Sequence, residues 1–187
     1  MSGSRSEQAQ VRFEQLYRET RIDLLAYLVR RSPSAEDAAD LLAETYSIAW
    51  RRLDAVPEGK GARPWLFGVA RKLLLKGASK ARTRHALVER LAAELRVAAP
   101  IFQPVEDERS VALRAALASL PEREREIVML ASWEGLAPKE IAVVLGQPAN
   151  LVRVRLHRAR KRLKRALLGS AGGTRRLVTG SDAPPAV

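Results

Sequence analysis

Apolar residues recur at helical spacing through the first third of the chain. Between residues 7 and 31 they share one face of a helix: Phe13, Leu16, Tyr17, Leu24, Tyr27 and Leu28. Ser34 and Asp37 have the spacing of a capping box, which predicts that a second helix begins there. The apolar stripe of this second helix consists of Ala38, Leu41, Leu42, Thr45, Ala49 and Leu53. A proline and two glycines between residues 56 and 61 then end it.

A third helix follows this break. Pro64 suits its first turn, and the pattern continues to about residue 84 through Trp65, Leu66, Val69, Ala70 and Leu73. Residues 85–96 either extend that helix or form another short one. Prolines and acidic residues at 97–108 interrupt the pattern, and we interpret this segment as a linker.

Helical spacing resumes after the linker, at residues 111–120, 121–133, 138–145 and 149–168. Residues 169–187 are rich in Gly, Ser, Thr and Pro, which predicts a disordered tail. No alternating pattern typical of strands occurs anywhere. The predicted fold is therefore all-α, with two small helical domains at 7–96 and 109–168 joined by a flexible linker at 97–108.

The last two predicted helices form a helix-turn-helix pattern, because a glycine-bearing turn joins them and the second is basic. Gly135 and Gly146 suit the left-handed positions that end helices. On the second helix, one face is apolar and must pack on the preceding helices: Val152, Leu156, Ala159 and Leu163. The opposite face carries Asn150, Arg153, Val154, His157 and Lys161.

The side chains on this opposite face are of the types that can contact DNA bases. A recognition helix uses mainly its N-terminal part, so Asn150, Arg153, Val154 and His157 are the candidates for base edges. Arginine and lysine suit phosphates, which favours Arg155, Arg158, Arg160, Lys161, Arg162, Lys164 and Arg165. A solvated basic helix end is the alternative. These basic residues lie on the second helix of the helix-turn-helix pattern, and this position argues against a merely solvated helix end.

The second and third predicted helices differ in exposed charge. Asp37, Asp40 and Glu44 form an acidic stripe on the second. The third carries a basic stripe of Arg71, Lys72, Lys76, Ser79 and Arg82. This contrast indicates a protein partner on one side and nucleic acid on the other, with simple solvation as the alternative. Lys60 and Arg63 lie on a glycine-rich path that suits grasping an unstacked base, although a plain turn would have the same composition.

Composition supports a polyanionic partner and excludes several kinds of site. Lys and Arg number 33 against 21 Asp and Glu, a formal charge of +12. There is no cysteine, and the two histidines have no spaced partner, so no metal or cofactor is predicted. No apolar run has the length of a membrane helix, and the polar start lacks a signal peptide's apolar region. We therefore expect a cytoplasmic protein without membrane insertion.

Both halves of the chain resemble one family, the extracytoplasmic-function (ECF) type of bacterial sigma factor. Residues 13–17, 35–46 and 49–51 are similar to its region 2, and residues 64–71 to its strand-opening segment. Residues 120–123, 139–142, 145–146 and 156–160 are similar to region 4. The departures include Lys72 and Lys76, where the family often has Asn and Asp, and Ala43, where it often has Gln.

The resemblance implies an initiation subunit that joins core RNA polymerase and directs it to promoter DNA. Asp37, Asp40 and Glu44 would then dock on the clamp coiled coil, and region 4 would also meet the polymerase flap. The 56–63 loop and the third helix would engage the minus-ten element and capture a flipped base, and the recognition helix would bind the minus-thirty-five duplex. An anti-sigma factor is a further partner that the family allows.

Three other interpretations remain open at this level. The first is a helix-turn-helix regulator that binds DNA without joining polymerase. The second is a helical adaptor or interaction protein, and the third an enzyme. The sequence disfavours the third, because it has no nucleophile–base pairing, phosphate loop or metal-ligand spacing.

Overall fold

The computed structural model describes the backbone of residues 2–92 and 108–176 and the side chains of 7–77 and 110–168. Every regular element in those ranges is helical, which confirms the all-α prediction. The first three helices are α1 (Ser2–Val29), α2 (Ala35–Arg51) and α3 (Ala62–Ala92), with short 3₁₀ turns at Leu53–Ala55 and Gly59–Gly61 between α2 and α3. The others are α4 (Glu108–Ala118), α5 (Glu122–Ser132), α6 (Pro138–Leu145) and α7 (Ala149–Arg176).

The chain divides into two compact units. The first comprises Met1–Pro100 with Lys139–Gln147, and the second comprises Ile101–Pro138 with Pro148–Val187. The predicted linker at 97–108 lies almost entirely outside the described residues. The predicted domain boundaries therefore stay a prediction.

The core of the first unit lies where α1, α2 and α3 pack against one another. Leu24, Leu28, Leu66 and Phe67 are completely buried there. The ring of Phe67 meets that of Tyr27 edge to face, with centroids 5.0 Å apart, a preferred aromatic geometry. The predicted stripe of α2 is buried or half-buried throughout. On α1, however, Tyr17 is 42% exposed, because it lies at the edge of the apolar face rather than within it.

The start of α2 is capped as the sequence predicts. Ser34 has extended backbone angles, and its Oγ accepts a hydrogen bond from the Asp37 backbone N–H at 3.0 Å. The Ser34 hydroxyl donates in turn to the Asp37 carboxylate at 2.7 Å. Such a cap stabilises a helix by about 1 kcal/mol.

A buried hydroxyl pair joins α1 to α2. The Thr20 hydroxyl donates to the Leu16 carbonyl oxygen at 2.6 Å. Its oxygen must therefore accept the hydroxyl hydrogen of Tyr46, which lies 2.8 Å away. Burial raises the pKa of the Tyr46 phenol above its ordinary value, although the bond to Thr20 opposes this effect.

In the second unit, α7 packs against α4 and α5. Ile127 and Leu130 of α5 and Val152 and Ala159 of α7 are completely buried. The Arg125 side chain donates to the carbonyl oxygens of Ala118 and Leu120, at 3.1 Å each, and so satisfies carbonyl groups at the end of α4 and just after it.

Glycine ends α6 as predicted. Gly146 has a φ of 63°, in the left-handed region. Its N–H bonds the Val143 carbonyl at 3.3 Å, and the Gln147 N–H bonds that of Ala142 at 3.0 Å. These two bonds form a Schellman motif, which satisfies carbonyls that the last turn leaves free. Gly135, with the same φ, follows α5.

The third and the last helix extend beyond the shortest ends that the sequence predicts for them. The third helix reaches Ala92, which favours extension over a separate short helix. The last helix was predicted to end at Leu168, whereas α7 continues to Arg176. Gly169, Gly172 and Gly173 each disfavour a helix by about 1 kcal/mol, which is why the sequence predicts an earlier end. Unlike proline, however, glycine keeps its backbone N–H and can extend a helix that is already formed. Residues 177–187 lie outside the described residues, so a disordered tail there stays a prediction.

Replacing Tyr46 by Phe should lower the free energy of unfolding by about 1 kcal/mol, because the buried bond to Thr20 is lost. Urea titration followed by circular dichroism measures this change. Tyr17→Phe is the control. The Tyr17 ring also packs against another aromatic ring, that of Tyr46, with centroids 4.8 Å apart, but Tyr17 is 42% exposed. Equal destabilisation by the two changes would contradict the role given to the Tyr46 hydroxyl.

Comparison of the wild-type protein with Tyr46→Phe also tests the raised pKa of the Tyr46 phenol. A pKa raised in the folded state favours the neutral phenol, so this contribution to stability is complete below pH 10.0, the ordinary phenol pKa. It is lost as the pH rises through the higher folded-state value. The wild-type protein should therefore lose more stability than Tyr46→Phe at alkaline pH.

Candidate nucleic-acid interface

The base-contact face of α7, which we define as Asn150, Arg153, Val154 and His157, is exposed along its whole length. The opposite side of the helix is fixed by burial, since Val152 and Ala159 are fully buried and Leu156 is 5% exposed. Val154 is 46% exposed although it is apolar. The buried and exposed faces are those that helical spacing predicts. The exposed face presents hydrogen-bonding side chains together with the methyl groups of Val154.

Two residues of the base-contact face bind each other. The Arg153 Nη1 donates to the Asn150 Oδ1 at 2.8 Å. An asparagine that pairs bidentately with adenine needs that oxygen as an acceptor. In this arrangement Asn150 therefore supports the Arg153 guanidinium, whose remaining N–H groups can still meet guanine. The two residues are three apart, a spacing at which side chains on a helix are neighbours, but the sequence prediction did not include this bond.

The phosphate flank, which we define as Arg155, Arg158 and Lys161, lies beside this face. Arg158 and Lys161 are exposed, while Arg155 is half-buried. Arg162 is different, because its Nη1 lies 3.2 and 3.1 Å from the two carboxylate oxygens of Glu124 on α5. The Glu124 side chain is only 12% exposed. Arg162 therefore ties α7 to α5, and Glu124 is a residue that the sequence reasoning missed.

The basic stripe of α3 borders a cleft in the first unit. Of the predicted residues, Arg71 and Lys72 line that cleft together with Arg51, Arg52 and Trp65. Lys76 is exposed one turn further along. The side chains of Ser79 and Arg82 lie outside the described residues. Arg51 and Arg52 were missed because they belong to the end of α2, and only the fold brings them beside α3.

The 56–63 loop leads into α3 and includes the first two residues of that helix, and its two predicted cations have different surroundings. Lys60 is exposed within the 3₁₀ turn. Arg63 instead holds the Asp23 carboxylate of α1, with its Nη2 2.9 Å and its Nε 3.0 Å from Oδ2. Its guanidinium also lies over the ring of Phe67, 5.1 Å from the centroid. Arg63 is thus engaged within the protein, and Lys60 is the cation that the loop presents.

The acidic stripe of α2 is exposed as a set. Asp37, Asp40 and Glu44 lie away from the buried Ala38, Thr45 and Ala49. Asp37 also accepts the Ser34 hydroxyl, so part of its role is to cap the helix. The stripe therefore offers Asp40 and Glu44 as the carboxylates most available to a partner.

The described residues form neither a metal-ligand cluster nor a membrane-spanning helix. No group of His, Cys, Asp and Glu side chains in this part of the chain could hold a metal ion. None of the described helices is long and apolar enough to cross a membrane.

Comparison with known families gives two matches in sequence order. Residues 16–84 match the family described as Sigma-70 region 2, and residues 110–163 match Sigma-70, region 4. The RNA polymerase sigma factor NccH of Alcaligenes xylosoxydans xylosoxydans is 32% identical over 142 residues, covering 72% of this chain and 75% of that protein. The ECF RNA polymerase sigma factor SigL of Mycobacterium tuberculosis is 29% identical, covering 81% and 86%.

Two solved structures share the fold. One is CnrH in complex with the cytosolic domain of CnrY, with a TM-score of 0.59 and 24% identity, covering 88% of this chain and 94% of that one. The other is the sigma factor RpoE in complex with the anti-sigma factor NepR from Bartonella quintana, with a TM-score of 0.52 and 22% identity, covering 88% and 96%.

Lys161 and Arg162 are adjacent cations that should behave differently toward DNA. Lys161→Ala should weaken duplex binding on every sequence and lower the slope of log affinity against log salt by about 1. Arg162→Ala should leave that slope unchanged and lower the free energy of unfolding by less than about 1 kcal/mol, because its side chain is bound to Glu124 and 52% exposed. Fluorescence anisotropy across a salt series measures the slopes. Equal losses of slope would show that Arg162 also contacts phosphate.

Proposed function

We propose that this chain, which belongs to the ECF family of RNA polymerase sigma factors, recognises promoter DNA with two separate surfaces. A sigma factor binds core RNA polymerase and directs it to promoters to initiate transcription. The single observation that carries the proposal is the exposed base-contact face of α7, which lies within the segment that matches region 4. This membership also sets aside a regulator that binds DNA without joining polymerase, because region 2 matches as well.

The base-contact face binds the minus-thirty-five duplex in this proposal. Arg153, supported by Asn150, meets guanine in the major groove, and Val154 lies against a thymine methyl group. His157 is a further contact to a base edge. Arg155, Arg158 and Lys161 contact phosphates and set the position of the helix in the groove.

The first unit handles the minus-ten element as a single strand. Lys60 in the loop and the cations Arg71, Lys72 and Lys76 of α3 supply charge along the strand, and the helical spacing of α3 predicts that Ser79 and Arg82 extend this row. Trp65 lines the cleft with Arg71 and Lys72, and an aromatic ring beside cations is the usual composition of a single-strand site. Because Arg63 is paired with Asp23, we assign it to supporting the loop and not to contacting phosphate.

Core polymerase is the partner of the acidic stripe. Asp40 and Glu44, with Asp37, dock on the clamp coiled coil, and region 4 also meets the flap. Charged side chains exposed as a set steer encounter with a basic surface and fix its orientation. In this assembly core polymerase performs the catalysis, and the chain acts by binding, in the cytoplasm at the nucleoid.

Regulation by an anti-sigma factor is part of the proposal. The RpoE structure that shares this fold contains the anti-sigma factor NepR, and the CnrH structure contains the cytosolic domain of CnrY. We infer that a protein partner of this kind also binds the present chain and keeps it from polymerase.

Reversing the charge of the acidic stripe tests the polymerase surface. Asp40→Lys with Glu44→Lys should weaken binding to core polymerase by at least about tenfold, or about 1.4 kcal/mol. The control, Glu7→Lys with Glu14→Lys, changes the net charge equally on the exposed surface of α1. Binding is measured by anisotropy of the labelled chain, and the full-length protein must keep its affinity for duplex DNA. Unchanged affinity for core would show that the stripe is merely solvated.

Replacing Arg153 by Ala should cost about 1–3 kcal/mol at one base pair of the minus-thirty-five element and relax the preference there. Asn150→Ala should act at the same base pair, and the double variant should lose less than the sum, because the two side chains share one hydrogen bond. Selection from a randomised duplex library measures both effects. Equal weakening on every sequence would instead make Arg153 a phosphate contact.

A further inference from the structure

Helix α1 holds the beginning of the 56–63 loop. The Arg12 Nη2 donates to the carbonyl oxygen of Val56 at 2.6 Å, across 44 residues of sequence. The bond is partly buried, and the Val56 side chain is 3% exposed. A charged donor on a backbone carbonyl makes a stronger hydrogen bond than a neutral one. Arg12 therefore fixes the point at which the chain enters the loop.

The same helix holds the end of the loop. The Asp23 carboxylate of α1 accepts a hydrogen bond from the Nε of Arg63 and forms an ion pair with its Nη2. The Phe67 ring lies under the same guanidinium. Phe67 is completely buried, so this ring is a fixed surface. Asp23 and Arg12 are about three helical turns apart and lie on nearly the same side of α1. One face of one helix thus contacts both ends of the loop.

The loop between these contacts is a tight turn that depends on glycine. Gly59 has a φ of 58°, and a Cβ on Gly61 would lie 2.8 Å from the Pro57 Cβ, so a larger residue would strain the turn at either position. A cavity of about 260 Å³ separates the loop from α1. Apart from the buried Val56 and Ala62 at its ends, the loop therefore depends on the two polar contacts for its position.

We propose that Arg12 and Asp23 are positioning residues for minus-ten recognition, which hold the 56–63 loop in the conformation that captures the strand. The inference rests on the proposed function of that loop. Neither residue needs to touch DNA, because each acts through the loop backbone or through Arg63. A loop that is already ordered loses less conformational freedom on binding, so these contacts strengthen capture and sharpen the choice of base.

The test uses holoenzyme assembled from core polymerase and the full chain. It is incubated with a library of single-stranded oligonucleotides, randomised over six positions, and the bound fraction is sequenced. Arg12→Met and Asp23→Asn should each reduce the strongest base preference of the wild type by about fivefold or more. The matched control is Arg18→Met, also on an exposed part of α1 but outside the loop contacts, and it should keep that preference.

Two further measurements separate positioning from folding. Hydrogen exchange at residues 57–62 should accelerate in Arg12→Met and Asp23→Asn, whereas core affinity and the melting temperature stay near those of the control. Exchanging the partners, by Asp23→Arg with Arg63→Asp, should recover part of the preference lost in Asp23→Asn. Arg12→Lys, which keeps a charged donor, should be milder than Arg12→Met.

The outcomes distinguish this inference from the function on which it rests. Full base preference with unchanged exchange in both variants would overturn the inference alone. Parallel losses of melting temperature, core binding and strand binding without a change in base preference would also overturn it, since they indicate a general folding role. No base preference in the wild-type holoenzyme would remove the strand-capturing role of the loop itself, and the inference with it.

Discussion

Burial of one face of α7 is the constraint on which the proposed duplex-binding surface depends. Val152, Leu156 and Ala159 are packed inside the second unit, so the helix cannot rotate without exposing them. This packing is what directs Asn150, Arg153 and His157 outward. The ion pair between Arg162 and Glu124 adds a second fixed point further along the helix. An apolar pattern thus determines which polar side chains are available to DNA, although it contributes no contact itself.

A related principle organises the first unit. Its helices bury their apolar faces together, and the remaining faces carry opposite charges, acidic on α2 and basic on α3. A single surface of mixed charge would bind neither a phosphate backbone nor a basic protein well. In the proposed function, separation of the two charges onto different helices lets one small unit bind both polymerase and DNA, as a sigma factor must.

Helical periodicity predicted the helices, most of their buried faces and the exposed residues of α7, and the spacing of Ser34 and Asp37 predicted the cap; Tyr17 and the end of α7 are the exceptions. Spacing along one helix contains this information, because burial and capping depend on nearby residues. The partners of the arginines could not be predicted in this way. Arg63 meets Asp23 and Arg162 meets Glu124 across 40 and 38 residues of sequence. Arg51 and Arg52 join the α3 cleft only through the packing of α2. Tertiary contact, which periodicity does not encode, decides whether an arginine binds DNA or another side chain.

In the proposed function one chain both joins core polymerase and opens promoter DNA. The most direct measurement of this dual role is permanganate reactivity of thymines on a promoter fork, which is selected from a library with core polymerase and this protein. We predict reactive thymines across the minus-ten element only when core and the chain are both present. A chain that bound the duplex but never produced reactive thymines with core, and never co-eluted with it, would contradict the account.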